Sequence, residues 1–126
     1  MRRSICAKMK IILTPLFKSD VRHYRDKKKY RKVEKDISLV TDELKKGNLP
    51  GDKVSGYHLK DGEALYKVRI PNSSIGVGKS NGFRILYYAK IGDEIFLLKL
   101  YSKKDSERIP TYEQIKNILK SVIQED

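Results

Sequence analysis

Between residues 64 and 103 apolar and polar positions alternate in three runs, ALYKVRI, GFRILYYAKI and EIFLLKLYSK, and this two-residue period predicts three strands. In the first run Leu65, Lys67 and Arg69 fall on one face and Tyr66, Val68 and Ile70 on the other. Arg84 and Tyr88 share a face in the second, and Lys99, Tyr101 and Lys103 share one in the third. A Gly/Ser-containing loop over residues 72–82 and a tight turn at Gly92 and Asp93 join them as consecutive hairpins.

Upstream the period changes. Residues 10–14, KIILT, read as a first strand, after which Pro15 breaks the pattern and Ser19 or Asp20 offers a helix cap. Tyr30, Val33, Ile37, Val40 and Leu44 then recur at helical spacing, and Gly47 ends that helix. The stretch GNLPGDKVSGYHLKDGEA is rich in Gly, Pro and Asp and reads as a loop with a short ordered excursion. A last amphipathic helix over residues 111–123 presents Ile115, Ile118, Leu119 and Val122. The order β-α-α-β-β-β-α predicts an α+β domain, with two N-terminal helices packed on a mostly antiparallel four-stranded sheet.

The chain has 126 residues, of which 39% are hydrophobic, which fits one domain with a modest core. Residues 1–8 read as a flexible extension, with Met9 an alternative start, and residues 9–126 as the domain. Cys6 is the only cysteine, which excludes an intramolecular disulfide and any thiolate metal cluster and fits a reducing cytoplasm. His23 and His58 are the only histidines, so a metal site or a Ser-His-Asp arrangement has few parts. The apolar run 11–13 is too short for a secretory signal, and no segment approaches a membrane span. The expectation is a cytoplasmic protein with no cofactor, no metal and no membrane partner.

Charge sharpens this picture. The net charge is +12, and it is uneven: residues 64–104 hold eight Lys and Arg against Asp93 and Glu94 alone. Unpaired cations at this density point to a polyanion, with RNA or DNA ahead of a membrane surface. In the run RDKKKYRKVEK, the residues Lys27, Lys28, Lys29 and Arg31 are either a solvated helix face or a phosphate footprint that supplies affinity without sequence readout. SSIGVGKS is not a phosphate-binding P-loop, because Ser73 stands where Gly is needed and a strand follows where a helix is needed. Lys79 at that loop's centre is still placed to reach a phosphate. Tyr87, Tyr88 and Tyr101 lie near the strand cations, as base-stacking rings or as core.

These runs in this order, with YKVRI, a Gly/Ser loop, GFRILYY and a strand ending in YSKKDSE, resemble the RelE/HigB-like toxins of bacterial toxin–antitoxin pairs over residues 9–123. The resemblance implies a microbial RNase-like fold and an mRNA interferase acting in the ribosomal A site. It also implies a cognate antitoxin, a small DNA-binding protein, that silences it. Carried over by position, the family's second-strand cations fall on Lys67 and Arg69, and the arginine of its G-[YF]-R motif on Arg84. The basic pair after the last strand falls on Lys103 and Lys104, just beyond Tyr101. Tyr101 and Tyr112 compete for a catalytic aromatic near the C-terminal segment.

Metal-independent RNA cleavage can use the substrate's own 2′-hydroxyl, leaving a 2′,3′-cyclic phosphate. The protein must then align the attack, neutralise the phosphorane and move two protons. Arg69 and Arg84 suit the neutralising task and Lys67 the alignment. Neighbouring cations are expected to lower the pKa of Tyr101 or Lys103 towards neutrality. Two other readings stay open: a gyrase-binding toxin of the same fold, and an RNA-binding module without catalysis.

Overall fold

The computed structural model describes residues 10–90 and 94–123, so the extension at 1–8, Met9 and the turn at Gly92 and Asp93 lie outside the described residues. The elements in order are β1 (Lys10–Leu13), α1 (Pro15–Arg22), a π-helical turn (His23–Lys27), α2 (Val33–Lys45), β2 (Asp52–Val54), β3 (Glu63–Ile70), β4 (Phe83–Lys90), β5 (Glu94–Ser102) and α3 (Tyr112–Val122). The α+β class holds. The sheet, however, has five strands in the order β1-β5-β4-β3-β2, and β1 runs parallel to β5, so the four-stranded expectation is corrected to a five-stranded mixed sheet. The added strand, β2, lies inside the Gly- and Pro-rich stretch and spans only three residues, too few for a period of two to register.

Pro15 does not break the chain; it starts α1. Thr14 caps the helix, its Oγ1 accepting from Phe17 N at 3.3 Å, and proline's fixed φ and missing N–H suit the first helical position. Ser19 and Asp20 are therefore mid-helix, and Asp20 belongs to the buried stripe with Phe17, Val21 and Tyr24. In α2 the expected stripe is present, with Val33, Ile37, Val40 and Leu44 buried. These two helices cover one sheet face, packing on Val68, Ile70, Phe83, Ile85 and Tyr87. On the other face α3 seats Leu119 against Leu65, Tyr88 and Leu98.

Strand β4 is central and buried from Phe83 to Ala89. A β-bulge interrupts its pairing with β5, where Leu86 faces Lys99 and Tyr87 faces Leu97. Leu98 is left over, and the local shift lets Leu98 and Tyr101 both reach the α3 side while Leu97 and Leu100 both face the helices. Simple alternation from the sequence could not show this.

Beyond Leu97 the strand β5 has no strand partner on its outer edge, and α1 takes over. Thr14 donates its backbone N and its Oγ1 to Leu97 O at 3.2 and 2.8 Å. Asp20 Oδ2 accepts from Leu100 N at 3.0 Å, and Tyr24 Oη accepts from Ser102 N at 3.0 Å. Asp20 Oδ1 also pairs with Lys99 at 3.0 Å and Arg108 at 2.9 Å. Lys99 keeps the face it shares with Tyr101, opposite Leu86, but its charge is matched by Asp20 and is not free for a ligand.

Candidate functional site

Three strands set one row of side chains across the open end of the α3 face. Arg69 of β3 lies opposite Arg84 of β4, and Arg84 lies opposite Tyr101 of β5. Residues opposite one another in a sheet share a face, so the pairing brings the two guanidiniums and the phenol together. One step along, Lys67 pairs with Leu86. A further step gives Leu65, Tyr88 and Phe96, where the apolar cover of α3 begins. The face is therefore divided into a closed apolar half and an open cationic half.

Within the row exposure differs. Arg69 and Lys67 are exposed, whereas Arg84 is 8% and Tyr101 6% exposed. The guanidinium of Arg84 is held by its own loop: NH1 donates to Lys79 O at 3.1 Å and Gly82 O at 3.4 Å, and NH2 to Ser80 O at 3.1 Å. Among the described residues no carboxylate pairs with Lys67, Arg69, Arg84, Lys79, Lys103 or Lys104 within 4.0 Å. Burial lowers the Arg84 pKa, and Arg69 opposite lowers it further, while Tyr101 partly offsets both. The nearest carboxylate in register is Asp52, which β2 places opposite Lys67 at the sheet edge.

Tyr101 departs from expectation. Burial pushes its pKa above the ordinary value, and the pull of Arg84 offsets this only in part. Its hydroxyl stays protonated through the neutral range, which suits it to donate a proton or hydrogen bond, not to accept one. Tyr87 and Tyr88 are 0% and 1% exposed and have no free ring face, because both sides of the central strand are covered. Of the two readings left open for them, core is the one that fits. Tyr112 is not in the row; it stacks on Tyr57 with centroids 4.8 Å apart and donates its hydroxyl to Gly56 O at 2.9 Å.

Loops complete the open half. The segment 72–82 is anchored to α2, where buried Asp36 accepts from Ser73 N and Ser73 Oγ at 2.9 and 2.7 Å, and Ser74 Oγ accepts from Lys32 N at 2.8 Å. Lys79 is exposed in a short turn (Lys79–Asn81) whose carbonyls Arg84 gathers. Gly82 closes the turn: its carbonyl accepts from Lys103 N at 3.0 Å, and a Cβ there would collide with the Ile70 carbonyl. Lys103 and Lys104 follow, both exposed.

Lys27, Lys28, Lys29 and Arg31 are exposed and sit on the turn between α1 and α2. Lys29 has φ of 62° and ends the π-helical turn in the left-handed manner of a C-terminal cap. Tyr24 and Tyr30 stack at 6.1 Å and both meet Phe83 edge-on, which fixes the turn at the end of the sheet where Arg84 lies. The basic run is therefore neither a regular helix face nor remote from the row.

Among the described residues no three of His, Cys, Asp and Glu stand where they could share a metal ion. None of the described helices is long and apolar enough to cross a membrane. No protein-family model matches the chain, and no curated protein matches it.

Proposed function

We propose that the chain is the toxin of a toxin–antitoxin pair, a RelE/HigB-like mRNA endoribonuclease that acts on the translating ribosome in the cytoplasm, on a fold of the microbial RNase kind. The observation that carries the reading is the row of Arg69, Arg84 and Tyr101, in register on three strands and unmatched by carboxylate among the described residues. Two guanidiniums side by side on a sheet are mutually repulsive, and a phosphate between them removes that cost.

In this mechanism Arg69 supplies the mobile fork onto the non-bridging oxygens of the scissile phosphate. Arg84, fixed by three carbonyls, supplies a charge that needs no reorganisation when the phosphorane forms. Lys67 positions the backbone one pair of residues away. The 2′-oxygen bonds to phosphorus and gives its proton to water, while Tyr101 donates a proton to the 5′-oxygen as the P–O5′ bond breaks. Lys79, Lys103 and Lys104 hold flanking phosphates, and Lys27, Lys28, Lys29 and Arg31 hold ribosomal or messenger RNA beyond them. A cognate antitoxin with an acidic segment covers the same cations.

A second reading, an RNA-binding module without catalysis, is favoured by one observation: most of the Arg84 donors are already engaged with its own loop. Gyrase poisoning is the third. Induced expression separates them when messenger integrity and trapped DNA–gyrase complexes are both measured. Growth arrest with truncated messenger is the expected result; trapped gyrase with intact messenger, or neither effect, replaces this reading with one of the others.

A further inference from the structure

Behind the edge of β5, on the helix side of the sheet, lies a cleft of about 370 Å³ lined by Ser19, Arg22, His23, Asp26, Lys27 and Arg108. Its charge balance is one-sided. The single carboxylate, Asp26, is already gripped by Arg25, with Nε to Oδ1 at 2.9 Å and NH2 to Oδ2 at 3.1 Å. Arg22 and Lys27 are exposed and have no ion-pair partner within 4.0 Å among the described residues. Arg108 gives NH2 to Asp20 at 2.9 Å and leaves its buried Nε without a partner.

We propose that this cleft binds a phosphate group, with Arg22, Lys27 and Arg108 as its cationic ligands, Ser19 as a hydroxyl donor and His23 as its wall. Arg22 and Lys27, with no ion-pair partner among the described residues, stand beside the unpartnered Nε of Arg108. Although Asp20 holds the other end of Arg108 and Asp105 lies 4.0 Å from His23 Nε2, these donors favour an anion with several acceptor oxygens. The site is rigidly joined to the row. Tyr24 lies between them, its ring 5.6 Å from the Arg108 guanidinium and its hydroxyl bonded to the backbone of Ser102, which follows Tyr101. The phosphate source that fits this placement is an RNA backbone running past Tyr101 and round the sheet edge, and only this naming of RNA rests on the proposed function.

His23 is the natural reporter. Its pKa is lowered by burial first and then by Arg108, with Lys28 and Lys27 adding to this and Asp105 opposing it. An anion in the cleft reverses the cationic contribution and raises it. The chain has only two histidines, so the imidazole signals are simple to follow, with His58 as an internal control.

The full chain is titrated by NMR with pyrophosphate and, separately, with a 2′-O-methyl oligoribonucleotide that cannot be cut through its 2′-oxygen. Saturable shifts and a raised pKa at His23, with His58 unmoved, are expected. Arg22→Gln and Lys27→Gln should each weaken the binding read at His23 roughly tenfold, and Lys45→Gln, exposed on α2 away from the cleft, should leave it unchanged. Because Arg22 and Lys27 are exposed and unpaired, their loss leaves the fold in place. A His23 that responds to neither probe, or equally in both cleft variants, overturns the site. A response to pyrophosphate alone keeps the site and removes RNA as its occupant. A protein that cuts no messenger yet passes this titration refutes the proposed activity and not the cleft.

Discussion

Arg69 and Arg84 stand directly opposite each other on β3 and β4, a like-charge pair with no acid to separate it among the described residues. Such a pair costs a few tenths of a kcal/mol, roughly, in a folded sheet. Arg69→Gln is therefore expected to leave stability unchanged or slightly higher while slowing messenger cleavage by about 10²–10³. Urea unfolding alongside a cleavage assay checks both halves. A loss of more than about 1 kcal/mol in stability would make Arg69 a structural residue.

Tyr101 is held protonated by burial. If it donates to the leaving oxygen, cleavage stays level as pH rises from about 7 to about 9, since the phenol lies above its usual value of about 10 and loses its proton only beyond that. Tyr101→Phe should lower the rate by about 10²–10⁴ without adding a new inflection. A wild-type rate that changes with an apparent pKa near 8, and loses that dependence in Tyr101→Phe, would instead identify the phenol as a base.

Asp20 holds Lys99, Arg108 and Leu100 N at once from a fully buried position. Asp20→Ala leaves two cations and a backbone donor unpartnered, and should cost about 3–5 kcal/mol. Combining it with Lys99→Met should recover part of that loss, read as a shift of the urea midpoint. A loss under about 1 kcal/mol would mean that the network is solvated like a surface pair.

The elements with repeated period were legible in the sequence. Val33, Ile37, Val40 and Leu44 mark α2 through their spacing, and the three runs after residue 64 mark β3 to β5, because many residues repeat one local rule. What stayed hidden depends on distant partners. Asp20 resembles a cap until Lys99 and Arg108, 79 and 88 residues away, supply its charge balance. Lys99 lies on the site face opposite Leu86, but its charge is taken by Asp20 from α1, and β2 is too short to carry a period. For the site, the alternation that puts Lys67 and Arg69 on one face was readable, but their alignment with Arg84 and Tyr101 is a matter of register. The burial of Tyr87 and Tyr88 follows from β4 being central, which strand order alone decides.

The basic turn should contribute affinity without sequence preference. Neutralising Lys27, Lys28 and Lys29 together should flatten the log–log dependence of RNA or ribosome binding on salt, by about 0.7 for each phosphate that these lysines neutralise. The cut positions should not move. A changed cleavage pattern would show that these lysines touch bases.

Cleavage itself is the central claim, and mapping messenger ends in a purified translation system tests it most directly. The expected products are fragments cut within ribosome-bound codons, with 2′,3′-cyclic phosphate on one side and a 5′-hydroxyl on the other, and their yield should collapse in Arg69→Gln. Messenger that stays intact beside the folded, ribosome-bound protein would contradict the account.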